Sequence, residues 1–97
     1  MKLLKSTNNR FLIFFLDVNI MTTPIDIKKW IEASLVNSQA SVEGDGHHFQ
    51  AIVICPQFSG KNTLARHRLV YESLGEHMKK DIHALELKTF TYEEKKG

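Results

Sequence analysis

The chain has a single cysteine, Cys55, among its 97 residues. That excludes an internal disulfide framework and any all-cysteine metal or cluster site made by one chain, and makes a reducing, cytoplasmic setting the default. Long apolar runs are lacking too. Phe11 to Leu16 follows Lys2, Lys5 and Arg10 in the order of a signal peptide, yet it is shorter than a secretory core and no small-residue cleavage site precedes Met21. It is far too short to cross a bilayer, so no membrane partner is expected. Neither sign of charge dominates: 13 basic residues against 11 acidic ones leave a net charge of +2. Such a balance permits an anionic partner without requiring one. Repeats and low-complexity tracts are absent, and Gly60-Lys61-Asn62-Thr63 is too short to be a phosphate-cradling loop.

What is present is ordinary globular composition, with 42% hydrophobic and 25% charged residues. The length suits one compact domain and not two. Residues 1–20 read as an extension, either a strand or loose arm added to the domain or a segment encoded upstream of a true start at Met21; the helix start directly after Met21 favours the second. Thr23-Pro24-Ile25-Asp26 joins a cap hydroxyl, a proline at the first helical position and a carboxylate three residues after the cap. This predicts a first helix from about Pro24 to Val36, burying Ile27, Trp30, Ile31 and Leu35, with Lys28, Lys29 and Glu32 largely outside. Ala40 to Glu43 reads as a short strand, Gly44-Asp45-Gly46 as a turn, and Phe49 to Cys55 as a β-branched strand stopped by Pro56.

A second helix, Asn62 to Leu74, is expected to cover the sheet through Leu64, His67, Val70, Tyr71 and Leu74, flanked by Arg66 and Arg68. Gly75 ends it, Glu76 to Lys80 is one further short turn, and Ile82 to about Thr91 alternates as a last strand. The tail, residues 93–97, reads as charged and frayed. A strand, a helix and a strand form a crossover unit, so the two strands are predicted parallel, with their starts at the same end of the sheet. One starts at His47-His48 and the other at His83. Two sequence-distant imidazoles are thereby expected at one edge. The architecture is α+β, a three-stranded mixed sheet with helices packed on one face.

From about Met21 to Thr91 the chain resembles the BolA family, on GDGHHFQ at 44–50, FSGK at 58–61, ARHRLVY at 65–71 and DIHALELKT at 81–89. The resemblance implies a class II KH-like αββααβ fold over residues 21–92. It implies a monothiol glutaredoxin as partner, with a [2Fe-2S] cluster shared with glutaredoxin and glutathione, and no cofactor in the isolated protein, a monomer or weak homodimer when alone. Carried over by position, the C-terminal ligand histidine of the family falls at His83. The second ligand falls at His48, with His47 as the alternate. Two departures stand out: Tyr92 follows the threonine where the family often has proline, and residues 1–20 have no family counterpart.

Such a protein is half a site, because two imidazoles on one iron leave both thiolates to the partner. A cluster held through histidine has a raised potential and becomes labile as pH falls. The plainer reading of His83 is a strand-edge histidine bonded to a carbonyl, and of His47 or His48 a solvated turn residue. His67 reads as a hydrogen-bonded core histidine, His77 as surface, and Cys55 as a small core hydrophobe with no activating base beside it. No catalytic residue is assigned. The family also implies a DNA-binding regulator, for which Lys61, Arg66, Arg68, Lys79 and Lys80 would form a basic rim. RNA binding of the KH kind is disfavoured. Its GXXG loop would fall at Leu74-Gly75-Glu76-His77, which has one glycine and an acid where the backbone must clamp phosphates.

Overall fold

The computed structural model describes residues 21–97; the predicted extension at residues 1–20 lies outside them. The helix α1, Pro24–Ser34, begins in a capping box. The Asp26 N–H donates to Thr23 Oγ1 at 3.2 Å, and the Thr23 N–H donates to Asp26 Oδ2 at 2.9 Å. It ends two residues earlier than predicted, where Leu35 turns extended and Asn37 takes a left-handed φ of 61°. Lys28 and Glu32 do not simply face solvent. Lys28 Nζ donates to Glu32 and to the Ala40 carbonyl, while Glu32 accepts the Ala40 N–H at 2.8 Å. The pair fastens the first strand to α1, and the Lys28 ammonium, with the Ala40 N–H, lowers the Glu32 carboxyl below its usual range.

Strands β1 (Gln39–Gly44) and β2 (His48–Ile54) form an antiparallel hairpin, and β3 (Ala84–Phe90) pairs with β2 in parallel, giving the order β1-β2-β3. Between β2 and β3 come a single 3-10 turn at Pro56–Phe58, α2 (Thr63–Leu74) capped by Asn62, and α3 (Glu76–Lys80), with Gly75 at φ 55° between the two helices. The expected α+β fold with its mixed three-stranded sheet is therefore present. Ala40, Phe49, Ala51, Val53 and Leu87 enter the core with Ile27, Ile31, Val70 and Leu74 from the helices. Alternate residues, among them Ser41, Glu43, Gln50, Glu86 and Lys88, line a shallow hollow on the other face.

Two features of the C-terminal half differ from expectation for one reason. Leu64 and Tyr71, predicted to be buried, are 65% and 40% exposed. The inward stripe of α2 is instead Arg66, Leu69, Val70, Ser73 and Leu74, an i, i+3, i+4, i+7, i+8 set. Arg66 turns in because it has partners there. Its guanidinium donates to Glu94 Oε1 and Oε2 at 2.7 and 2.9 Å, its Nε donates to the Lys61 carbonyl at 2.8 Å, and its charge lies over the Phe58 ring. Glu94 is held in place because residues predicted to fray form a helix, α4 (Tyr92–Lys96), started by a Thr91–Glu94 capping box. The Tyr92 hydroxyl then reaches the Asn37 carbonyl at 2.8 Å.

The Arg66 guanidinium, helped by the Thr91 N–H, pulls the Glu94 carboxyl down to about 2. A folded-state value below the unfolded one, which is about 4.3 for glutamate, gives stability that is present above pH ~4.3 and fades as pH falls towards 2. Glu94→Gln should therefore melt below the wild type at pH 7, with the gap closing by pH 2. An equal gap in thermal melts at both pH values would remove the charge from this explanation.

Candidate metal centre

The parallel register sets His48 opposite Ala84. One residue earlier on each strand, His47 and His83 stand side by side, and the Ala84 N–H donates to the His47 carbonyl at 3.2 Å. Their rings lie 5.2 Å apart between centroids, tilted by 53°. Both residues are exposed. The predicted meeting of imidazoles at one edge is thus made by His47 and His83. Strand alternation puts His47 on the side of buried Phe49, and turns His48 to the opposite side with Gln50. Neither His47 nor His83 is within a strand; each immediately precedes one, at a rim.

Both approaches are braced. In the turn before β2, Asp45 Oδ1 accepts the N–H groups of His47 and His48, each at 2.9 Å, and the Asp45 N–H returns to the His48 carbonyl. Those N–H donors, that of His48 first, hold the Asp45 carboxyl below its usual range. Gly46, at φ 101°, supplies the left-handed residue the turn requires. On the other arm, Asp81 and Ile82 both donate backbone N–H bonds to the His77 carbonyl, and buried Ile82 anchors the residue before His83. His77 is more than a surface residue. It stacks flat on Trp30, with centroids 3.5 Å apart and planes within 6°, and its Nδ1 lies 2.6 Å from Asp81 Oδ2. The sequence offered the i, i+4 spacing of His77 and Asp81 as a signal, but nothing that pointed to Trp30.

Two imidazoles bound to one tetrahedral metal through nitrogens at 2.0–2.1 Å have centroids about 5 Å apart, the separation found here. The pair therefore fits one metal ion of a cluster. It fits no complete site: among the described residues no group of three or more histidine, cysteine or acidic side chains is placed to hold a metal. Cys55, as expected, lies in the core, wholly buried. His67 is half-buried edge-on to Tyr71 rather than hydrogen-bonded in the core, with ring centroids 6.5 Å apart.

The basic residues do not gather into one rim. Arg66 is committed to Glu94, with a side chain only 12% exposed. Lys61, Arg68, Lys79 and Lys80 are exposed, but Lys61 precedes α2 while Lys79 and Lys80 follow it. The 12 residues of α2 span about 18 Å between them. On the outer side of α2, Arg68 lies among exposed Leu64 and Tyr71. Among the described residues no helix is long and apolar enough to cross a membrane.

Comparison with known proteins agrees with this fold. A BolA homologue from Coxiella burnetii, known by structure, is 58% identical, covers 79% of this chain and all of its own, and superposes with a TM-score of 0.76. The DNA-binding transcriptional regulator BolA of Escherichia coli is 37% identical over 54 residues, which make up 56% of this chain and 51% of that protein. Protein BOLA2 of Arabidopsis thaliana is 39% identical over 69 residues, 63% of this chain and 73% of that protein. The chain spans about half the length of that Escherichia coli regulator. The family described as BolA-like protein matches residues 27–94, and the chain belongs to it.

Proposed function

We propose that this chain is a non-enzymatic adaptor of iron-sulfur metabolism in the cytoplasm, joined to a monothiol glutaredoxin through a shared [2Fe-2S] cluster. The observation that supports it most is the His47–His83 pair: two exposed imidazoles at metal-sharing distance, with no further ligand beside them among the described residues. In this reading His83 is one ligand, and its adjacency to His47 favours His47 over His48 as the other. When bound, the cluster supplies one-electron chemistry at a potential raised by neutral histidine ligands. This chain orients the two imidazoles, through Asp45 on one arm and the His77–Asp81–Ile82 bonds on the other. The thiolates must come from the glutaredoxin cysteine and glutathione, since Cys55 is wholly buried. Leu64, Arg68 and Tyr71 on the outer side of α2, with Lys61, offer the partner a docking surface of apolar contacts edged by positive charge.

The test is to mix the protein with cluster-loaded monothiol glutaredoxin and glutathione and to record visible absorption and circular dichroism. A new spectrum, lost in His83→Ala, is expected; an unchanged glutaredoxin spectrum defeats the proposal.

A second reading, a DNA-binding regulator, draws on the name of the Escherichia coli relative and on exposed Lys61, Arg68, Lys79 and Lys80. It requires affinity that falls steeply with salt and with loss of those charges, and that ignores the histidines.

A further inference from the structure

We propose that a second copy of this chain extends the sheet at β3, antiparallel about a two-fold axis at Leu87, so that Glu86 of each copy faces Lys88 of the other. The inference uses neither the histidines nor the cluster, and so stands apart from the proposed function. The sheet order β1-β2-β3 leaves two outer strands, and they are not alike. On β1 the outward backbone groups of Ala40 are already taken, its N–H by Glu32 and its carbonyl by Lys28. On β3 the Ala84 N–H donates to the His47 carbonyl and the Phe90 carbonyl accepts the Cys55 N–H, so the even-numbered residues bond to β2. Alternation then points the backbone groups of Leu85, Leu87 and Thr89 outward. Among the described residues the one bond that reaches them runs from Arg66 Nη1 to the Thr89 carbonyl, at 3.5 Å. An outer strand with such a row of open groups is a template for another strand.

The side chains select the partner and the register. Antiparallel pairing about Leu87 bonds Leu87 to Leu87 and Leu85 to Thr89, which uses every outward group in that stretch. The Thr89 carbonyl keeps a second lone pair for Arg66. On the open face of the sheet the same register sets Glu86 opposite Lys88 twice. Both side chains are exposed, and neither joins an ion pair among the described residues. Moving the axis one residue either way sets Glu86 against Glu86 or Lys88 against Lys88, and like charges directly opposite destabilise a sheet. A two-fold interface must complement itself, and a strand with an acid and a base on either side of its centre does so. In this register His83 stands opposite Thr91, eight positions along the strand. The two histidine pairs therefore lie at far ends of the dimer, roughly 26 Å apart, too distant to share a metal.

The experiment is sedimentation equilibrium of the full-length protein over a range of concentrations, with amide hydrogen exchange read at the lowest and the highest. The expected result is a concentration-dependent dimer in which the amides of Leu85, Leu87 and Thr89 become protected. Glu86→Lys or Lys88→Glu alone sets like charges at both contacts and should weaken the dimer by roughly tenfold. The double variant Glu86→Lys/Lys88→Glu should restore it, and so should an equimolar mixture of the two single variants, in which each lysine again meets a glutamate. Both positions are exposed, so all the variants should keep the wild-type circular dichroism. Three results would each overturn the proposal: a monomer at every concentration, Leu85 and Leu87 amides already protected in dilute protein by another segment such as residues 1–20, or single variants whose mixture stays monomeric. A dimer with the expected properties, formed by protein that leaves the glutaredoxin spectrum unchanged, would keep this inference and remove the proposed function.

Discussion

Gly44→Ala should lower stability by about 2–4 kcal/mol, although it adds one carbon to an exposed position. Gly44 pairs with Phe49 in the last rung of the hairpin before the turn. A β-carbon there would lie 2.5 Å from the His48 carbonyl oxygen and 2.9 Å from the Phe49 Cα, and would also meet the Phe49 ring. Two of the three obstacles are backbone, so no rotamer change relieves them. Phe49 is among the largest fully buried side chains, and the His48 carbonyl is tied to the Asp45 N–H. The hairpin must therefore open at the point that aims His47. In a domain of this size such a loss lowers the melting temperature by roughly 10–25 °C. Gly60→Ala is the natural comparison, since it has a left-handed φ of 76° but nothing within 4 Å of the added carbon. Its cost is backbone strain alone, about 1–2 kcal/mol. Equal melting temperatures for the two variants would refute the steric argument.

His47→Ala and His48→Ala should behave as opposites in the glutaredoxin mixture. Parallel pairing brings His47 beside His83, while the strand pleat turns His48 to the far side of the sheet. Loss of a direct ligand should weaken the shared assembly by more than the roughly 10–100-fold typical of groups that merely orient ligands. His48→Ala removes a side chain but leaves its backbone N–H to Asp45, so the turn and the spectrum should both remain. Retention of the spectrum in His47→Ala with loss in His48→Ala would hand the role to His48.

Much of this arrangement was legible in the chain because the signals were local. Thr23, Pro24 and Asp26 announce α1, the β-branched run announces β2, and strand-helix-strand order forces the parallel pairing that unites the histidines. The inward turn of Arg66 was not legible, since its reason, Glu94, is 28 residues away. The helix that holds Glu94 did have a local signal, Thr91 followed three residues later by Glu94, obscured by the charge of the tail. His77 needed Trp30 from another helix. The choice between His47 and His48 could have been argued from alternation: His83 shares a side with Leu85 and Leu87, as His47 does with Phe49.

The parallel pairing of β2 with β3 also gives the histidine pair a history. Its members are 36 positions apart, and β3 leaves the ribosome after β2 and the helices between them. Contacts that span so much chain are slow to form, because the intervening loop must close before they return any stabilisation. A nascent or partly unfolded chain can contain α1, the hairpin and α2 and still hold only a lone imidazole at position 47. The pair appears when β3 docks. On the proposed function, the ligand pair is therefore absent until β3 has docked on β2.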